Sequence, residues 1–236
     1  MANEKRKKLP SFVTPAGIFR FPKLSEPDYG TKEYPKPDGE YSVQLIMKAA
    51  DPKVKAFLAS LQPLYDAAMA KAEYAFDELR AESRKKLKQV HPNPAYTEIL
   101  DKETEKPTGE IYIKAAMRAS GTIKADSPRK GQKWERKPVL FDAKGNRMKN
   151  VPAIWGGTEG KLSVEVSDYF IAGTAAAGIK LNLNGVQILD LVTAGERSAS
   201  SLGFSAEDGY EHEDSKFNST DTAGSATDEG DETANF

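Results

Sequence analysis

The sequence has no cysteine among its 236 residues. Disulfides, thiolate zinc sites and cysteine nucleophiles are thereby excluded. Histidine is nearly as scarce: His91 stands beside Pro92 and His212 lies far down the chain, so neither has a partner at metal-ligand spacing. No uninterrupted apolar run approaches the roughly eighteen residues of a membrane span, so no membrane association is expected. The opening MANEKRKKLP is charged and lacks the apolar stretch of a secretory leader, which points to the cytosol. Phosphate-loop and nucleophile motifs are missing as well. GGTEGK, residues 156–161, has three residues between its outer glycines where a phosphate-binding loop has four. Leu162 stands where a magnesium-binding hydroxyl belongs, and the segment leads into a strand instead of a helix. No serine sits in a nucleophile elbow, and no carboxylate has an apolar setting that would raise its pKa. The expectation is a protein that is not an enzyme, with no cofactor and no metal site.

Charge is low only in sum. The chain carries a net −1, yet residues 205–236 hold ten carboxylates and a single cation, Lys216. Residues 1–204 therefore keep 33 cations and 25 carboxylates, so a body of net +8 carries a tail of net −9. A basic body attracts polyanions. An acidic tail is either a solubilising end or a competitor for the same surface.

Apolar patterning describes the body. EYSVQLIMK sets Tyr41, Val43, Leu45 and Met47 on one face and Ser42, Gln44 and Ile46 on the other. GEIYIKAAMR turns Ile111, Ile113, Ala115 and Met117 inward and Tyr112, Lys114, Ala116 and Arg118 outward. KLSVEVSDYF places Leu162, Val164 and Val166 in, with Ser163, Glu165 and Ser167 out. GIKLNLNGVQILDLV alternates through Ile179, Leu181 and Leu183 and then changes register at Gly185, the mark of a bulge. SFVTPAGIFRF reads as a first strand with Pro15 at an edge or bulge. PKLSEPDYGTKEYPKPDG, rich in proline and glycine, reads as a long functional loop. Asp51 is an N-cap and Pro52 a first helical residue; Val54, Phe57, Leu58 and Leu61 then recur at helical spacing, and Leu64, Tyr65, Ala68, Met69, Ala72 and Phe76 continue the pattern. Pro63 should kink this helix or divide it. Strands interrupted by one helical segment predict a mainly β fold, an OB-fold-like Greek-key barrel of five to seven strands with a long inserted helix. The expected organisation is a basic arm at 1–10, the barrel domain at 11–204 with its helix near 51–90, and a disordered acidic tail at 205–236.

An outward strand face of one ring and two cations needs a partner that likes both. Single-stranded nucleic acid does, because cations track its phosphates and rings stack under its bases. Tyr112, Lys114 and Arg118 offer this on one strand. Phe19 and Phe21 flank Arg20, and if one of the two rings is exposed the other belongs to the core. Trp155 and the pair Tyr169 and Phe170 are further candidate platforms. The loop DSPRKGQKWERK gathers Arg129, Lys130, Lys133, Arg136 and Lys137 around Trp134, with Lys124 just before it. Each residue alone also fits ordinary packing or a solvated face. Together they point to a sequence-independent binder of single strands, DNA or RNA. A protein–protein adaptor on a basic barrel is the alternative.

Several segments carry a resemblance. EPDYG, DGEYSVQLIM, ADPKV opening a helix, VLFDAKGNRMKNVPAIWGG and KLSVEVSDYF followed by GIKLNL resemble, in order and spacing, the single-stranded DNA-binding replication proteins of tailed bacteriophages. The resemblance runs from about Pro15 to Val192 and resumes at the tail, which in that family is acidic and ends in Phe. It implies an OB-fold protein of the infected host cytosol, often a homodimer, that coats single strands in DNA replication, recombination and repair. It also implies a tail that guards the DNA groove and contacts a DNA polymerase and a helicase–primase. By motif position Lys114 and Tyr169 would face DNA, and Asp228, Glu229, Asp231, Glu232 and Phe236 would form the partner-binding tail. Two departures stand out: the tail is less densely acidic than the family pattern, and Trp155 precedes the glycines where an aliphatic residue is expected.

Overall fold

The computed structural model describes residues 8–123 and 128–193. Most of residues 1–10, Lys124 and the whole acidic tail, with Asp228, Glu229, Asp231, Glu232 and Phe236, therefore lie outside the described residues. Period-two alternation forms the long strands, because a pleated strand sends successive side chains to opposite faces. Five of them make the barrel: β2 (Gly17–Gly30), β3 (Pro35–Lys48), β6 (Pro107–Arg118), β10 (Glu159–Ile171) and β11 (Ala176–Asp190). Short strands complete the set: β1 (Ser11–Val13), β4 (His91–Asn93), β5 (Thr97–Leu100), β7 (Ser120–Thr122), β8 (Lys133–Glu135) and β9 (Val139–Phe141). Pairing runs β2–β3–β6–β11–β10 and returns to β2, antiparallel throughout except for the parallel β6–β11 step. The mainly β barrel with one long inserted helix is the architecture the patterning predicts. Closure is narrow: Glu159 pairs with Ile18 and Gly160 with Gly17. A side chain at Gly160 would overlap the Phe19 ring and the Gln187 carbonyl, so closure requires glycine there.

The inward faces form one core. Tyr41, Val43, Leu45 and Met47 meet Ile111, Ile113, Ala115 and Met117 across the β3–β6 ladder, and Leu162, Val164, Val166, Leu181 and Leu183 close the other side. Each buried Val, Leu, Ile or Met side chain among them contributes about 1.5–3 kcal/mol. The register change in β11 is a bulge: Ser163 pairs with Gly185 while Val164 pairs with Leu183, leaving Asn184 extra. Beyond it Val186 and Ile188 become the buried set.

Two expectations need correction. Helix α1 (Pro52–Asp77) is one undivided element despite Pro63 within it. Pro63 is exposed, while Val54, Phe57, Leu61, Ala68 and Ala72 are buried. Tertiary packing of that apolar stripe outweighs the local cost of the missing N–H. The proline-rich stretch 22–39 is also not a loop. It belongs to β2 and β3, joined by a short turn at 31–34. The ladder tolerates Pro22 and Pro27 because they fall in bulges, and Pro35 because it is the first residue of β3. Phe21 and Pro22 together oppose Val43, and Leu24, Ser25, Glu26 and Pro27 together oppose Tyr41. The Lys36 ammonium braces the far end, at 2.7 Å from Asp28 and 3.0 Å from Glu40. A short helix, α2 (Ala81–Leu87), follows α1 and buries no residue.

Candidate nucleic-acid interface

The outward faces of β3, β6 and β11 form the floor of a groove of about 630 Å³. Cross-strand register builds it. Gln44 lies opposite Lys114 and Ile46 opposite Tyr112 on the β3–β6 ladder, and Ala116 pairs with Asn182 across the parallel step to β11. Tyr112, Lys114, Gln44 and Lys180 line it, with Tyr96 from just before β5 on one wall and Tyr169 from the end of β10 on another. Asn93 of β4 donates to the Tyr169 hydroxyl at 2.6 Å and fixes that ring. Glu40 is the groove's one carboxylate among its lining residues, and it is held by Lys36. Hydrogen bonds to Asp28 first and Glu40 second keep the Lys36 ammonium above its ordinary pKa, so that cluster stays charged and paired. What remains for a ligand is three phenol rings and two lysines. Such a surface stacks planar apolar groups and neutralises anions between them.

Arg20 borders this groove from β2. Its Nε donates to the Gln44 side-chain oxygen at 2.7 Å, and its guanidinium lies 4.4 Å from the centre of the Tyr112 ring and 5.6 Å from that of Phe21. Phe21 is 71 % exposed and has a positive φ of 50°. The bulge that absorbs Pro22 turns this ring outward, whereas regular alternation from Phe19 would send it inward. Phe21 and Trp155 line a second groove of about 680 Å³ between the β2 bulge and residues 151–156.

Several predicted contacts lie elsewhere. Phe19 is 1 % exposed and belongs to the core, so it offers no platform. Phe170 points away from Tyr169: consecutive strand residues face opposite ways, and Asp168, on the face Phe170 shares, bonds Lys71 of α1 at 2.9 Å. Trp134 is not open. Its ring lies over Gly121 of the paired strand β7, where an added Cβ would come 2.6 Å from Cζ2. Arg136 covers it at 5.1 Å and also donates to the Arg118 carbonyl at 2.9 Å. Arg129, Lys130 and Lys133 belong to this β7–β8 hairpin, a two-stranded sheet apart from the barrel sheet, and line neither groove. Arg118 is exposed on the outward face of β6 and lies 3.4 Å from Asp38. Sequence reasoning missed Lys180, Gln44 and Tyr96. Lys180 and Gln44 were visible as the outward members of alternating strands; Tyr96 had no signal beyond its place after a helix stop.

The chain is similar to known proteins in sequence and in fold. The sequence model of the family described as single-stranded DNA-binding protein, bacteriophage T7, matches residues 18–191. The single-stranded DNA-binding protein of Enterobacteria phage T3 is 26 % identical over 211 residues, covering 89 % of this chain and 87 % of that protein. The protein of the same name from Escherichia phage T7 is 28 % identical over 177 residues, covering 73 % and 72 %. The crystal structure of gp2.5, a single-stranded DNA-binding protein encoded by bacteriophage T7, shares the fold with a TM-score of 0.60 at 22 % identity, over 87 % of this chain and 100 % of that one.

Proposed function

We propose, because the chain belongs to the bacteriophage T7 single-stranded DNA-binding protein family, that it binds single-stranded DNA without regard to base sequence. The observation that carries this reading is the meeting of Tyr96, Tyr112 and Tyr169 with Lys114 and Lys180 in one groove. The rings take base faces, each stack contributing about 1–3 kcal/mol whatever the base. The lysines take phosphates, and each phosphate neutralised steepens the dependence of log affinity on log salt by about 0.7. Arg20 and Arg118 extend the cationic track on either side. The DNA undergoes no chemistry.

The wider role follows the same logic. The protein coats single strands during replication, recombination and repair in the cytosol of an infected bacterium. Its acidic residues 205–236 compete with DNA for the basic groove and recruit a polymerase and a helicase–primase. It works as a homodimer. The support for the tail's part is the opposed charge of tail and body.

Titration with oligo-dT at several salt concentrations tests the reading, using the full chain and a version ending at Phe204. Tight binding with a steep salt slope is expected, tighter for the shorter version. Equal affinity for duplex and single strand at matched salt would overturn the function. Equal affinity of the two versions would remove the tail from groove regulation. A labelled oligomer left intact in magnesium or manganese is expected, and cleavage would reveal an enzyme. Competition between matched DNA and RNA oligomers sets the preference between them.

A further inference from the structure

We propose that the second groove, between Phe21 and Trp155, is a separate base-binding subsite for the same DNA strand that occupies the tyrosine groove. The inference rests on the single-strand reading above and adds to it. Three observations carry it. First, the gap is built. Gly157 donates to the Phe19 carbonyl at 3.0 Å and Phe19 to the Thr158 carbonyl at 2.8 Å, while Ser25 donates to the Pro152 carbonyl at 2.8 Å. The β2 bulge and the 151–156 segment are thus stitched together at both ends, with the groove between the seams. Trp155 itself is tied down by its N–H, 3.1 Å from the Val192 carbonyl.

Second, the rings are presented to solvent. Phe21 is 71 % and Trp155 51 % exposed, and Phe21 holds a left-handed backbone that a bulky residue rarely adopts. Its neighbour two residues back, Phe19, fills the core, so the outward turn of Phe21 serves no packing role inside the barrel. Third, a single cation stands between a ring of one groove and a ring of the other. The Arg20 guanidinium faces both Phe21 and Tyr112, and Tyr112 belongs to the tyrosine groove. A strand that stacks on Tyr112 reaches Phe21 by passing one cation, the alternation of charge and ring that single strands follow. Lys23 and Glu26 also line the gap, and of the two only Lys23 can take a phosphate.

The test uses the full chain and oligo-dT of graded length. Trp155→Ala and Phe21→Ala should leave affinity for the shortest bound oligomers within about twofold. Longer oligomers should lose roughly five- to a hundred-fold, the range expected for one base stack. Trp155→Phe, which keeps a ring, should restore most of the loss. As a readout without substitution, the wild-type chain is photo-crosslinked to 5-bromodeoxyuridine oligomers; adducts are expected on the peptides holding Phe21 or Trp155 as well as on those holding Tyr112 or Tyr169. Adducts on the tyrosine peptides alone, with length-independent losses in the alanine variants, would overturn the subsite and leave DNA binding standing. Failure of wild type to bind any oligomer would overturn both.

Discussion

Two regions of this molecule offer rings and cations, and they use them differently. The β7–β8 hairpin carries Arg129, Lys130, Lys133 and Arg136 within eight residues, yet its one large ring is consumed. Trp134 lies on Gly121 and under Arg136. The tyrosine groove draws on residues as far apart in sequence as Gln44 and Lys180; Arg20 rests against its Tyr112 ring, and Tyr96 and Tyr169 line it as well, so it keeps rings and lysines together on one lining. Charge density along a chain marks solvated surface as readily as a site. What distinguishes the groove is register, which sets Tyr112, Lys114 and Lys180 on one outward face while their neighbours fill the barrel.

The largest expected effect separates the two regions directly. Tyr112→Ala removes a ring platform and also the surface on which Arg20 rests. It should weaken oligo-dT binding by about 1–3 kcal/mol, roughly five- to a hundred-fold. Trp134→Ala should change affinity less than threefold in the same titration. Equal losses would mean that the hairpin ring, despite its cover, takes part in stacking.

Stability gives the reverse contrast. Gly121→Val drives a side chain into the Trp134 ring and should destabilise the protein by about 1–3 kcal/mol, as overpacking does. Thermal unfolding reads that loss, and affinity for oligo-dT should survive wherever the barrel remains folded. A parallel loss of binding would make the hairpin part of the groove's support. Smaller again is the salt term. Lys114→Ala and Lys180→Ala should each reduce the slope of log affinity against log salt by about 0.7. Arg129→Ala with Lys133→Ala should reduce it by less than one such step for the pair, and a larger drop would bring the hairpin into the DNA track.

The sequence made the barrel strands legible because alternation is local. Tyr41 to Met47, Ile111 to Met117 and Leu162 to Val166 declare their buried face residue by residue, and the bulge at Gly185 shows as a break in the pattern. The outward placement of Tyr112 and Lys114 was legible for the same reason, whereas Tyr169 was named with Phe170 as a ring pair and by motif position, not by its face. The prolines misled because their penalties were read locally. Pro22 and Pro27 sit in bulges, and Pro63 lies on the exposed side of a helix held by packing. Tyr96 was beyond reach because the position of β5 is a long-range choice, and Lys180, though legible as an outward strand residue, joins Lys114 only through the parallel β6–β11 pairing, which is also long-range. The same bulge decided between Phe19 and Phe21, which the sequence posed only as an alternative.

The smallest effect concerns the far side of β10. Lys71 of α1 hydrogen-bonds Asp168 at 2.9 Å, and that bond, ahead of the opposing cost of burial, holds the Asp168 carboxyl below its ordinary pKa. A carboxyl with a depressed folded-state pKa adds stability above its unfolded value of about 3.9, and the gain is lost as pH falls through the folded value. Both side chains are well exposed, at 67 % and 45 %, so screening limits the gain to less than about 1 kcal/mol. Asp168→Asn should therefore lower the melting temperature slightly at pH 7, and the gap from wild type should close as pH falls through the lowered folded-state pKa and the wild-type carboxyl is protonated. Tyr169 stands on the opposite face of the same strand, held by Asn93, so oligo-dT affinity at pH 7 should stay within twofold. A larger loss would show that the helix anchor on one face of β10 sets the ring position on the other, coupling the tyrosine groove to α1.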